Sequence, residues 1–366
     1  MTDGDPYAQA GVDYEALDRS KRAALSAARL TAAFPLPRGA TFDEESFGES
    51  ASILRVGHET LGFVVECLGT KSLIASEYEQ ETGVDRFDAI GYDTVAAATN
   101  DCASAGALPL VVNAYFAAGS ASFHEGRRHA LLVEGFQRGC ADAGAAWGGG
   151  ESPALEGIVA GDAIDLAAAV IGRVPDGLEP LLGTALVPGD EIVLVSSSGL
   201  HQNGASLARS VARGLEDGWS TRLPSGRTLG DAALDPGIIY VSLIEKSLAA
   251  AFPLHYVSHL TGHGFRKLMR ADRELTYRID SLPEVPEVLS FIAHRAELSS
   301  AAAYATLNMG AGLACFVGRG QGARFVKLAE GLGLSAMDAG RVEEGPRAVV
   351  LEALGIEYPG SALDIR

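Results

Sequence analysis

The stretch Glu191–Gly214, EIVLVSSSGLHQNGASLARSVARG, decides the fold class. It begins as a β-branched apolar run, passes through the polar loop Ser196–Gly204, and continues as small and apolar residues at helical spacing. Strand, loop and helix in immediate succession are the building unit of α/β architecture. The loop sets three hydroxyls, His201, Gln202, Asn203 and two glycines between strand and helix, a placement from which loops on a rigid scaffold bind ligands. His201 is expected to have solvent and substrate access there, which makes it a candidate general acid or base; the plainer reading is a histidine that only shapes its turn.

Upstream of this unit, ETLGFVVEC at Glu59–Cys67 reads as a strand and LGTKS as the turn that follows it. The run AIGYDTVAAATNDCAS reads as a buried Ala-rich helix ending at the Gly106 and Pro109 breakers. Asp93 and Asn100 are two turns apart and share a face of that helix, while Asp101 projects about 100° away from Asn100. A strand, LPLVVNAYFA, a helix around His124–Ala143, a glycine turn at WGGGES and a strand at Ile164–Val174 complete this half. Downstream, helices are expected near Ile238–Ala251, Gly264–Arg270 and Glu284–Ala293, then the strand GLACFVG, a helix at Gln321–Gly333 and a paired VEEGPRAVVLEA hairpin. This divides the chain into an arm at 1–50 with one helix from Tyr14 to about Ala33, a first domain at 51–176 and a second at 177–366.

A chain of 366 residues with a formal charge of −18 lacks the Lys and Arg excess that nucleic acid or an anionic membrane demands. The partner expected is a small phosphorylated molecule. The 44 glycines, well above a usual share of about 7 %, carry no collagen period and belong in turns, close packing and phosphate-facing loops. The four cysteines, Cys67, Cys102, Cys140 and Cys315, form no CxxC pair, so a zinc knuckle or disulfide framework is not indicated. With no signal-like start, the protein is expected in the cytoplasm.

Lys71 among the carboxylates Glu66, Asp93, Asp101 and Glu151 is the inventory for holding Mg²⁺ against a triphosphate, since hard cations take oxygen ligands and the lysine offsets phosphate charge. Neither a Walker-type P-loop nor a GxGxxG fingerprint occurs. Gly148–Glu151 reads either as a tight turn or as backbone amides approaching phosphate with Glu151 reaching the metal. HLTGHG at His259–Gly264 and LNMGAG at Leu307–Gly312 are two further glycine punctuations.

The ordered set GTK, IGYDTVAAATND, GALPLVVNAYFAAG, GGES, SSSGLHQNG, SHLTGHGF and TLNMGAG, with the opening YAQAGVDYEALD, resembles the phosphoribosylformylglycinamidine cyclo-ligase (aminoimidazole ribonucleotide synthetase) family of the PurM-type superfamily over roughly residues 7–350. The resemblance implies a two-domain α/β (α+β) PurM-like fold, an N-terminal mixed sheet forming a homodimer interface and a C-terminal α/β sandwich. It implies ATP and Mg²⁺, with formylglycinamidine ribonucleotide cyclised to aminoimidazole ribonucleotide and ADP and phosphate released.

Carried over by position, Lys71, Asp101 and His201 would be catalytic. Glu66, Gly69, Thr70, Lys71, Asp93, Asn100, Gly149, Gly150 and Glu151 would bind the nucleotide, with Glu66, Asp101 and Glu151 on the metal. Ser198, Gly199, His201, Asn203, Gly204, Thr261, Gly262, Asn308 and Gly310 would face substrate. The chain departs from the family where DGVGTK stands as ECLGTK, so that Glu66 replaces an aspartate. It departs again where Ala154 stands for a glutamate and Asn113 for an aspartate, and FGESASILRV lacks the glycine-rich nucleotide loop. These changes keep two other readings open: a paralogue that activates another amide-like oxygen, and a noncatalytic nucleotide-binding dimer.

Overall fold

The computed structural model describes residues 14–363; of the opening YAQAGVDYEALD, Tyr7–Asp13 lies outside the described residues. The first half is a mixed six-stranded sheet of β1 (Ala40–Asp43), β2 (Ser52–Val56), β3 (Glu59–Cys67), β4 (Leu108–Ala118), β5 (Ala146–Glu151) and β6 (Ile164–Arg173), in the order β1-β2-β3-β6-β4-β5. Only the β4–β5 pair is parallel. Its helices are α1 (Tyr14–Arg29), α2 (Lys71–Thr82), α3 (Phe87–Ser104), α4 (Ala121–Glu125) and α5 (Arg127–Asp142).

The second half is a seven-stranded sheet of β7 (Glu191–Ser196), β8 (Leu254–His259), β9 (Leu275–Ile279), β10 (Ala311–Val317), β11 (Ala336–Glu344), β12 (Ala348–Leu351) and β13 (Ile356–Pro359), ordered β13-β12-β9-β11-β7-β10-β8. Its helices are α6 (Ala205–Arg213), α7 (Leu229–Ala233), α8 (Val241–Ala249), α9 (Glu287–Arg295), α10 (Ser300–Thr306) and α11 (Gly322–Glu330). Every residue of β10 is buried, including Cys315, so both faces of this strand, which lies next to the edge strand β8, are covered.

The Ala-rich helix is the axis of the molecule. Sixteen of the eighteen residues of α3 are buried, because it packs on β3 and β6 on one side and on β8 and α8 of the other half on another. Small side chains permit this: a Cβ at Gly91 or at Gly135 would run into the facing carbonyl oxygen, Leu132 or Asp88, where α3 crosses α5. Polar residues on so buried a helix need partners inside the protein, and that requirement builds the site. Among the described residues nothing covers the far face of the first sheet, where Phe63 is 51 %, Val65 61 %, Leu110 48 % and Ile171 38 % exposed.

Four expectations from sequence are corrected. WGGGES is largely strand β5, because Gly150 at φ +151° has no Cβ to strike the Ala114 carbonyl of β4. A glycine run has no side chains to alternate, so the period of a strand is invisible in it. VEEGPRAVVLEA is not a hairpin: β9 lies between β11 and β12, and Thr276 Oγ1 donates to Pro346 O where the short connection passes over β9. The helix expected around His124–Ala143 is broken at Gly126 into α4 and α5. Within the arm, Ala40–Asp43 is an edge strand paired with β2, too short to show a period in sequence.

Candidate functional site

The polar residues of α3 divide between a buried floor and an open cleft. In the floor, Asn100 donates to Ile238 O (2.8 Å) and accepts from Tyr240 N (2.8 Å), tying α3 to the segment that leads into α8. Asp93 accepts from Gly237 N (2.6 Å) and pairs with the ammonium of Lys71, which also donates to His201 O (2.6 Å). Both members of this ion pair are inaccessible to solvent. Lys71 therefore faces no open phosphate position here; it holds the His201 turn to the helix.

His201 corrects a second expectation. It is buried, not solvent-accessible, and sits at φ +54°, where its Nε2 accepts from Ser198 N (3.0 Å) and its buried Nδ1 has no partner among the described residues. Burial, with the neighbouring His259 and Lys71, pushes its pKa well below the usual imidazole range, so the ring is neutral. Ser198 Oγ donates to Pro236 O (2.7 Å). Asn308 donates to Gly199 O (2.9 Å) and accepts from Ser197 Oγ (2.8 Å) and Gly310 N (3.0 Å), so the two glycine-bearing turns hold one another.

Above this floor lies a cleft of about 660 Å³ between the halves. The first half lines it with Glu66, Cys67, Gly69 and Thr70, and the second with Gln202–Ser206, Thr261–His263, Lys267 and Arg270; Lys21 and Leu25 of α1 stand at its rim. Thr70 precedes α2 and Gly204 precedes α6, and the hydroxyls of Thr70 and Ser206 meet at 2.9 Å. Two helix N-termini, with their unsatisfied amides, thus start side by side at the cleft, a geometry that favours anions. His263 Nε2 lies 3.1 Å from Asp18, which fixes α1 against the rim.

Asp101, at the cleft end of α3, is bonded through Oδ1 to His259 Nδ1 (2.7 Å). Burial opposes its charge, but the His259 bond and the nearby Lys267 and Arg270 hold its pKa below the ordinary carboxylate value. Glu66 beside it is pushed the other way, up to about 7, by burial and by the Asp101 carboxylate. Burial and Arg270 lower the Lys267 ammonium to about 8. A carboxyl poised near neutrality can take or give a proton where a ligand reacts.

Of the residues singled out in the sequence, Glu66, Gly69, Thr70, Asp101, Asn203, Gly204, Thr261 and Gly262 meet in the cleft. Lys71, Asp93, Asn100, Ser198, Gly199, His201, Asn308 and Gly310 form or brace its floor. Gly149, Gly150 and Glu151 are elsewhere: β5 is the edge strand, and β6 and β4 separate it from β3 and Glu66. Glu151 is exposed there. Among the described residues no three His, Cys, Asp or Glu side chains are placed to hold a metal ion. The expected Glu66–Asp101–Glu151 magnesium set is therefore not assembled, and these residues do not fit a protein-held Mg²⁺ site of that kind. Lys21, Lys267, Arg270 and the His259–Asp101 bond were missed; the basic residues of GFRKLMR, directly after HLTGHG, were the available signal.

Comparison with known proteins matches residues 48–174 to the AIR synthase related protein, N-terminal domain, and residues 187–352 to its C-terminal domain. The phosphoribosylformylglycinamidine cyclo-ligase of Synechocystis sp. is 30 % identical over 94 % of this chain and 98 % of its own. That of Methanothermobacter thermautotrophicus is 33 % identical over 74 % of this chain and 77 % of its own. Among solved structures, hydrogenase maturation protein HypE in complex with ATP matches with TM-score 0.57 at 19 % identity over 81 % of this chain and 83 % of its own. AaThiL complexed with AMPPCP and TMP matches with TM-score 0.55 at 14 % identity over 86 % and 90 %. At these identities the structures establish the shared fold.

Proposed function

The chain belongs to the AIR synthase related family, and from that premise we propose that it is an ATP-dependent cyclo-ligase making aminoimidazole ribonucleotide from formylglycinamidine ribonucleotide. The observation that carries the reading is a cleft to which both family domains contribute, with the starts of α2 and α6 joined through Thr70 and Ser206 around the Glu66–Asp101 pair. Relatives about 30 % identical over most of the chain are cyclo-ligases, and structures of the same fold hold ATP or AMPPCP, which supports ATP as the phosphoryl donor.

In this reaction the formyl oxygen of the substrate takes the terminal phosphoryl group of ATP, releasing ADP. The amidine nitrogen then attacks the activated carbon, that oxygen leaves as phosphate, and the nitrogen gives up a proton. Positioning and charge stabilisation carry most of such chemistry. We assign Gly69, Thr70 and the first amides of α2 and α6 to the phosphoryl groups, Asn203, Gly204, Thr261 and Gly262 to the substrate, and ionised Glu66 to the proton. His201, Lys71 and Asp93 act by holding the floor. No step is routed through magnesium, which in this reading comes only as the complex with ATP.

Residues 51–176 would form the nucleotide-binding half and 177–366 the substrate half of a cytoplasmic enzyme. No helix among the described residues is long and apolar enough to cross a membrane. The uncovered sheet face bearing Phe63, Val65, Leu110 and Ile171 fits a homodimer interface. Sedimentation is expected to give a dimer that V65D converts to monomer; a monomeric parent protein rejects that interface. The activity is tested by measuring ADP and imidazole product with ATP and formylglycinamidine ribonucleotide: one imidazole per substrate-dependent ADP is expected. ATP binding without stimulation by this substrate would favour another amide-like substrate.

A further inference from the structure

The two helix starts that meet at the cleft are an unfavourable pair. Each carries about half a positive charge from its aligned peptide dipoles, so α2 and α6 repel one another where Thr70 and Ser206 touch. One hydroxyl bond at that point is a small restraint, because water competes for both groups. Farther from the cleft the helices are tied a second time. Glu77 stands seven residues beyond Thr70, about 10 Å down α2 at the rise of an α-helix. Its Oε1 accepts from Nε (3.1 Å) and Nη2 (2.7 Å) of Arg209 and from Nη2 of Arg213 (2.8 Å), both on α6, and its Oε2 accepts from the indole Nε1 of Trp219 (3.1 Å).

The next carboxylate along the helix shows what is particular to Glu77. Glu81 lies one turn on and on the same face of α2, and it accepts from the backbone nitrogens of Trp219 (3.0 Å) and Ser220 (2.7 Å) in the 3₁₀ turn Gly218–Ser220. Glu81 therefore fixes that turn, whereas Glu77 grips the helix that starts at the cleft. Burial opposes the charge of Glu77, yet the bonds from Arg209, Arg213 and Trp219 hold its pKa below the ordinary carboxylate value, so the tie is ionic at neutral pH. With the side chains of Arg209 and Glu77 only 15 % and 25 % exposed, the pair is screened less than a surface ion pair. Neither residue lines the cleft, so neither touches what binds there.

We propose that Glu77 is a positioning residue for the cleft: through Arg209 it sets where the start of α6 stands relative to the start of α2, and with it the alignment of the groups that the two halves present together. A ligand that spans both halves gains from its second set of contacts only when that set is already in place, and a misplacement of about 1 Å costs on the order of a hundredfold. The inference rests on reading the cleft as the ligand site and not on cyclo-ligase turnover.

The test is calorimetric titration of AMPPCP with Mg²⁺ into the full chain and into E77A, E77Q, R209M, E77A/R209M and E81Q, with urea midpoints to establish that each is folded. Affinity is expected to fall at least about tenfold in E77A and in R209M. It is expected to fall less in E77Q, whose amide oxygen still accepts from Arg209, and this variant keeps the shape of the side chain should E77A fail to fold. In the double variant the further loss is expected to be no more than about threefold, since the two residues act as one unit. E81Q weakens bonds to the adjoining turn and is expected to keep its affinity within about threefold of the parent protein, a split that lost stability alone does not produce. Unchanged affinity in folded E77Q and R209M, losses that multiply in the double variant, or E81Q losing as much as E77A would each overturn the proposal. The expected pattern in a protein that forms no imidazole would instead reject the cyclo-ligase reading and leave this one standing.

Discussion

The floor beneath the cleft and the cleft itself use the same residue types to opposite ends. In the floor, Lys71 and Asp93 are wholly buried and spend their hydrogen bonds on each other, on Gly237 and on the His201 carbonyl. In the cleft, Glu66 and Asp101 crowd each other while Lys267 and Arg270 keep donors uncommitted. A lysine with carboxylates is therefore not in itself a ligand site. What separates scaffold from site is whether the protein has already satisfied the groups, because a saturated buried pair has nothing left to offer a ligand and an unsaturated cluster must find it there.

The difference can be broken first from the floor. D93A leaves the Lys71 ammonium buried without its counter-charge, and a loss of about 3–5 kcal/mol in urea unfolding is expected; a loss below 1 kcal/mol would mean the floor is not a structural unit. H201A removes the acceptor of the Ser198 amide and opens a small cavity, for an expected loss of about 1–3 kcal/mol, with substrate KM rising as the loop loosens. A fall in kcat at constant stability and KM would instead return His201 to the chemistry.

The cleft responds in activity. E66Q is expected to lower imidazole formation at least tenfold, on the order of the smaller effects of losing a general base, without destabilising the fold at neutral pH, since it removes the cost of ionising a buried carboxyl. Its pH dependence has a definite sign. The Glu66 pKa is raised from 4.5 to about 7 in the folded chain, so between these values the native state binds more protons than the unfolded one, and stability falls as pH rises through that window. Urea midpoints compared at pH 5.5 and 7.5 should show a fall in the parent protein that is smaller in E66Q. The smallest effect is expected outside both regions: E151A on the edge strand should leave stability within about 0.5 kcal/mol and turnover within about twofold.

The helix at the centre was legible because helical period is local. The run from Ala89 to Ser104 showed one face for Asp93 and Asn100 and another for Asp101, and these faces meet Gly237–Tyr240 and His259 respectively. What the same run could not show is which partner comes from elsewhere in the chain. Lys71 beside Asp93 reads equally as a phosphate ligand or as a buried pair, and only the closing of the second half over α3 decides it. Glu151 was misplaced for a related reason: its glycine run hid strand β5, and with it the two strands that separate it from Glu66. Lys267 and Arg270 escaped notice because two basic residues three apart share a face in either kind of helix, and only the packing of the two halves shows that this face lines the cleft.

The central claim is that turnover resides in the cleft and not on the glycine strand, and the most direct measurement assays imidazole formation by E66Q and E151A side by side with the parent protein. The expected result is a loss of at least tenfold in E66Q, as above, with E151A within about twofold of the parent; E151A inactive while E66Q turns over normally would contradict it.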